Sequence, residues 1–150
     1  MSELSDPGPR LAAQCWQESR FKANAYNTAS GASGECQFMA PAWGECLKAN
    51  KARNVSRFNS RMSVKCAGWY MRKLGAFWSS PRSHIERWRL QLASYNAGPG
   101  NIHSAQKKSG NRSLWSEIAP FLIDVTGRHS LETIGYVTSS ERYFSQLTED

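Results

Sequence analysis

The chain has 150 residues, 40% of them hydrophobic and 21% charged, which fits one compact domain able to bury a core of its own. No apolar run approaches the roughly 20 residues of a membrane-spanning helix, so stable membrane insertion is excluded. A formal net charge of +7 favours an anionic partner; nucleic acid, anionic lipid and acidic cell wall all qualify, and scattered basic residues do not choose among them.

Met1 to Arg10 carries acids and prolines where a secretory signal needs basic residues and then an apolar run, so work outside the cytoplasm requires another route of delivery. A first helix is predicted from near Pro9, a residue suited to the first helical position, to about Phe21, with Leu11, Ala12, Cys15 and Trp16 on one stripe. Lys22 to Gln37 reads as a long irregular loop, rich in Asn, Ser and Gly. A short helix follows from Pro41 to Ala49, and Met62, Cys66, Trp69, Tyr70 and Leu74 recur at helical spacing. Ser83 and Glu86 form a capping-box pattern before a helix with Ile85, Trp88, Leu92 and Tyr95 inward, stopped by Asn96 to Gly100. A shorter helix spans Leu114 to Leu122, and Ser130 caps a last one with Leu131, Ile134, Tyr136 and Val137 inward. The expected fold class is therefore mainly α, one domain over residues 1–150.

The cysteines Cys15, Cys36, Cys46 and Cys66 contain no Cys-x-x-Cys pair, and His84, His103 and His129 are distant in sequence, so no metal site is expected. Cys15 and Cys66 lie on apolar helical faces. Buried, unpaired thiols are the expectation, with one or two disulfides as the alternative.

Glu18 is the candidate acid. It lies about 20° around the helix from Leu11, at the edge of the buried stripe and in the last turn. Desolvation and the negative end of the helix dipole both favour its protonated form, as a general acid near neutral pH requires. A surface glutamate at a fraying helix end is the competing reading.

Four motifs in order bear on that choice. Glu18-Ser19-Arg20-Phe21, Asn24-Ala25, Gly31 to Gly34 and Gln37-Phe38-Met39-Ala40-Pro41 resemble the first motif of the lytic transglycosylase (SLT) family. Tyr95-Asn96-Ala97-Gly98 resembles its Tyr-Asn-Ala-Gly motif, Glu132-Thr133 with Tyr136-Val137 its last motif, and Met62 to Leu74 its intervening helix more loosely. The Gln-Phe-Met-x-Pro ending is similar to phage-encoded members, free endolysins or virion components. Asn27 stands where the family commonly has serine, with Ser30 the other candidate for that role. Glu35-Cys36 replaces two usually apolar residues.

The resemblance implies a lysozyme-like fold of the goose-type class and cleavage of the bond between N-acetylmuramic acid and N-acetylglucosamine, closing a 1,6-anhydro ring. Glu18 would be the acid and then the base, and no cofactor is implied. Gln37, Met39, Tyr95, Asn96, Glu132 and Tyr136 would bind substrate. Gln37 could instead stabilise its loop, Asn96 a helix stop and Glu132 a helix start. Trp43, Trp69, Trp78, Trp88 and Trp115 could stack on sugars, though spacing favours packing for Trp69 and Trp88. The implied partner is the peptidoglycan glycan strand, met by a monomer in the periplasm or on the wall. A hydrolytic muramidase using Glu35 as second carboxylate is the nearest rival. A non-catalytic wall-binding or virion module is the next. Nucleic-acid binding has no recognisable signature here.

Overall fold

The computed structural model describes residues 8–148, so most of the acid- and proline-rich N-terminal stretch lies outside the described residues. The described chain is helical: α1 (Gly8–Ser19), α2 (Ala40–Ala49), α3 (Ser60–Phe77), α4 (His84–Ala97), α5 (Pro99–Lys108), α6 (Trp115–Ile118), a 3-10 turn (Ala119–Phe121), α7 (Ile123–Thr126) and α8 (His129–Thr148). Strand geometry among the described residues is limited to two isolated antiparallel bridges, Tyr26 with Ser33 and Ser33 with Phe38. No described helix is long and apolar enough to cross a membrane. The chain divides into two compact units, residues 1–70 with 140–150, and residues 71–139, and α3 and α8 each contribute to both.

In the first unit α1 ends two residues earlier than its pattern predicts, and buries Leu11, Gln14 and Cys15; the side chain of Ala12 is outside the described residues. The expectation of unpaired thiols is overturned. Cys15 joins Cys36 and Cys46 joins Cys66, with Cα–Cα distances of 4.5 and 5.7 Å that suit a bridge. All four are buried, so burial alone looked the same for a paired and an unpaired thiol. The bridges tie α1 to the long loop and α2 to α3. Each closes a loop of about 20 residues, for which chain entropy gives about 3 kcal/mol.

The second unit is built from close-packed helices around Leu74, Leu90, Leu92, Ile102, Ile118 and Leu122. Ser83 accepts the Glu86 N–H at 3.3 Å, as its capping pattern predicts. The reciprocal half of the box is absent, because the Glu86 carboxylate pairs with Arg89 at 2.6 Å and accepts the Trp115 N–H at 2.9 Å. Glu86 thus caps α6 rather than its own helix. Ile85 is exposed, not inward, since α4 buries Trp88, Leu90, Leu92, Ala93 and Ser94 in its middle turns. Gly98, at φ 90, ends α4, and Pro99 at once begins α5, a helix the sequence pattern did not announce. The last helix starts at His129, so Ser130 is a buried helical residue rather than its cap, and Leu131 is exposed while Tyr136 and Val137 are buried.

Candidate functional site

The predicted site residues fall in both units. Glu18, Gln37 and Met39 belong to the first, and Tyr95, Asn96, Glu132 and Tyr136 to the second.

In the first unit Glu18 sits half-buried in the last turn of α1. Its neighbours on the chain are tightly held. Ser19 donates its hydroxyl to the Glu35 carbonyl and more weakly to that of Cys15, and the Cys15–Cys36 bridge ties the same two segments covalently. Cys36 in turn donates its N–H to the Ser63 hydroxyl of α3 at 3.2 Å. The helix end that carries Glu18 is therefore cross-linked to the loop at Glu35 itself and at Cys36, and the Glu35 side chain is half-buried.

The loop satisfies its backbone locally. Asn27 accepts the N–H groups of Ala29 and Ser30, and Ser30 accepts that of Ala32. Both candidates for the missing serine thus act on loop backbone. Gln37, at φ 53, donates its amide to the carbonyls of Gly34 at 2.8 Å and Ala25 at 3.3 Å, which is the loop-stabilising role. Met39 precedes α2 and is exposed. Arg57 was missed by sequence reasoning: its guanidinium donates to the carbonyls of Gly31 and Phe38, both at 3.0 Å. No spacing marked it among the other basic residues. Gly34 packs so closely that a Cβ there would overlap the Arg57 carbonyl, and its φ of 86 also favours glycine. Trp43 is buried and donates its indole N–H to the Val55 carbonyl at 2.9 Å.

In the second unit Tyr95 is half-buried and Asn96 accepts the Thr133 hydroxyl at 2.7 Å, joining the end of α4 to the first turns of α8. Glu132 faces solvent, 3.3 Å from His129 in the first turn of α8, whereas Tyr136 one turn on is buried. The pair therefore does not share one environment. Glu132 sits where a carboxylate complements the helix dipole. Trp78, Trp88 and Trp115 are buried, and Trp69 is half-buried beside Tyr70, with ring centroids 6.3 Å apart.

An open cavity of about 290 Å³ in the first unit is walled by Trp16, Phe21, Tyr143, Gln146 and Leu147. Trp16 lies about 200° around α1 from Glu18, so the cavity opens on the far side of that helix and belongs to none of the predicted site residues.

The family profile described as Transglycosylase SLT domain matches residues 5–118. Glu18, Gln37, Met39, Tyr95 and Asn96 fall inside the match, while Glu132 and Tyr136 lie beyond it. The crystal structure of the 70 kDa soluble lytic transglycosylase from Escherichia coli is similar to this chain, with a TM-score of 0.74 at 18% identity. The similarity covers 97% of this chain and 23% of that one, so the chain spans about a quarter of that protein's length. At that identity the likeness establishes the fold, a helical lysozyme-like one. Comparison with curated protein sequences found no match.

Proposed function

The chain belongs to the Transglycosylase SLT domain family, and on that premise we propose that it is a lytic transglycosylase of peptidoglycan with Glu18 as its acid and base. Glu18 in its acid form gives a proton to the oxygen between N-acetylmuramic acid and N-acetylglucosamine, and the glucosamine side leaves. The resulting carboxylate takes the proton of the muramic acid 6-hydroxyl as that oxygen bonds to C1, which closes the 1,6-anhydro ring and restores the acid. No water is consumed. The substrate's N-acetyl group can assist at C1, so a second carboxylate is not required.

The observation that carries this reading is the placement of Glu18, half-buried at a helix end cross-linked to its loop by Ser19 and the Cys15–Cys36 bridge. A general acid must be held within reach of the proton's destination, and small misplacements are costly. Gln37, Met39, Tyr95, Asn96, Glu132 and Tyr136 are our proposed substrate contacts. The two disulfides support work in an oxidising compartment such as the periplasm or at the wall. Phage delivery, as a free endolysin or a virion component, is part of the same proposal, as is one catalytic domain over residues 1–150 acting as a monomer.

Glu18→Gln should abolish turbidity loss of a wall suspension while leaving the thermal transition in place; retention of more than a few per cent of activity would remove Glu18 from the mechanism.

A second reading has one observation in its favour: Ser19 holds the Glu35 backbone beside the end of α1. If Glu35 activates water, the protein is a hydrolase. Mass spectrometry of released muropeptides separates the two, because anhydro-ended products are one water lighter. We expect anhydro ends, and Glu35→Gln within a few-fold of the unmodified rate. Reducing ends together with a dead Glu35→Gln variant would make the enzyme a muramidase.

A further inference from the structure

Directly after Glu18 and Ser19 the backbone does something costly. Arg20 at φ 57 and Phe21 at φ 60 are two consecutive non-glycine residues in the left-handed region. Such residues persist where their surroundings hold them, and they gather at functional sites. Here the holding groups are visible. The Arg20 guanidinium lies 5.1 Å from the Trp16 ring centroid and 4.9 Å from that of Tyr143 on α8. The Trp16 ring also meets Phe21 at 5.2 Å and Tyr143 edge-on at 6.4 Å. Trp16, two residues before Glu18, and Tyr143 on the last helix thus converge on the Arg20 cation, and Phe21 packs on the same Trp16 ring.

We propose that Arg20 is a positioning residue for Glu18: its guanidinium, clamped by Trp16 and Tyr143, locks the reversed backbone after the helix and so fixes the helix end from which the acid projects. This rests on the reading of Glu18 as the acid. Trp16 lies on the side of α1 away from Glu18, so the clamp acts through the backbone and not by touching substrate. A planar guanidinium suits the task, since it stacks between rings where a lysine ammonium makes a weaker, less oriented contact. The strained turn begins two residues after the acid. Anything that relaxes it moves the carboxyl, and displacement on the order of 1 Å can cost about 10²-fold in rate.

The test is a set of substitutions at position 20, read as kcat and KM on soluble uncross-linked glycan chains with anhydromuropeptides as product. Arg20→Ala removes the clamp and leaves a residue that disfavours the left-handed turn; kcat should fall about tenfold or more with KM within about twofold. Arg20→Gly also removes the clamp but adopts a positive φ without steric cost, so it should recover only the share of the loss that strain causes and stay well below the unmodified protein. Arg20→Lys, which keeps a weaker contact with the two rings, should lie above both. Tyr143→Leu, which opens one side of the clamp, should lower kcat by a smaller factor, and it serves if Arg20→Ala does not fold. Full recovery of kcat in the glycine variant would show that the clamp is dispensable and overturn the proposal. So would an unchanged kcat, or a change confined to KM, in Arg20→Ala and Tyr143→Leu. An unmodified protein that releases no anhydromuropeptide would instead defeat the reading of Glu18, a result distinct from any of these.

Discussion

The two units solve the same folding problem with different materials. The second is helix against helix: α4 and α5 share one glycine at their junction, and apolar side chains such as Leu90, Leu92 and Ile102 are excluded from water completely. The first contains the long loop, both disulfides, and five of the six positive-φ non-glycine residues found among the described residues. Irregular backbone has no helical ladder to satisfy its carbonyls and N–H groups, and something must replace it. Arg57, Gln37, Ser19 and Trp43 do so with side-chain donors, and the disulfides tie the segments covalently. The proposed acid sits in this cross-linked unit. Precision at an irregular site is obtained from specific bonds rather than from packing volume, so the two units should fail in different ways.

The largest difference should come from reduction. Opening both bridges removes about 3 kcal/mol each on the chain-entropy view, a large share of a typical domain's 5–15 kcal/mol. We expect hydrogen exchange after reduction to show protection lost first in α1 and α2, with α4 and α5 still protected, and lytic activity lost alongside. Leu92→Ala should do the reverse: a buried cavity costing about 2–5 kcal/mol, with exchange rising first in α4 and α5. If either treatment melts both units together, the distinction between them has no energetic meaning.

A single atom sharpens the point inside the first unit. Gly34→Ala places a methyl on the Arg57 carbonyl at a backbone angle alanine disfavours, so the loop or the 57–58 segment must move. The strain alone is on the order of 1–3 kcal/mol. Thermal denaturation of the variant should register it, and Arg57→Ala should give a loss of the same kind by removing the arginine's bonds to the Gly31 and Phe38 carbonyls. An unchanged transition in Gly34→Ala would show that the loop is loosely held.

This division also explains what the sequence let one read. The helices of repeated apolar spacing, α1, α3 and α4, were legible because burial imposes a period on the chain. The loop was legible as a loop from its Asn, Ser and Gly content, but not its internal bonds, since an arginine that binds carbonyls looks like any other arginine. Cysteine pairing was illegible for the same reason: Cys15 and Cys36 meet through the loop's path, which no spacing encodes. α5 is hidden because Pro99 and Gly100 mark the end of one helix and the start of the next with the same residues. Among the proposed site residues, Glu18 lies at the half-buried end of its helix, as the apolar stripe of α1 predicts. The Glu132–Tyr136 pairing was half legible, since i and i+4 put two residues on a face but do not say that the face turns from solvent to core along its length.

The smallest predicted effect concerns charge. The first unit holds ten Lys and Arg against eight acids, a net of +2, and the second holds nine against four, a net of +5. Most of the protein's attraction to an anionic wall should therefore arise in the unit that does not carry Glu18. Exposed charges act over the screening length, which falls from about 30 Å at 0.01 M salt to about 10 Å at 0.1 M. Lysis by the unmodified protein should slow across that range as encounter becomes less frequent. Lys107 and Lys108, exposed in the last turn of α5, are suitable probes, and Lys48 and Lys51 serve as the matched pair in the first unit. Replacing Lys107 and Lys108 together by Ala should lower the low-salt rate by about two- to fivefold and flatten its salt dependence, with little effect at high salt. The same change at Lys48 and Lys51 should do less. Equal effects from the two pairs would mean that the wall responds to total charge only, and a flat salt profile in the unmodified protein would mean that the charge serves solubility.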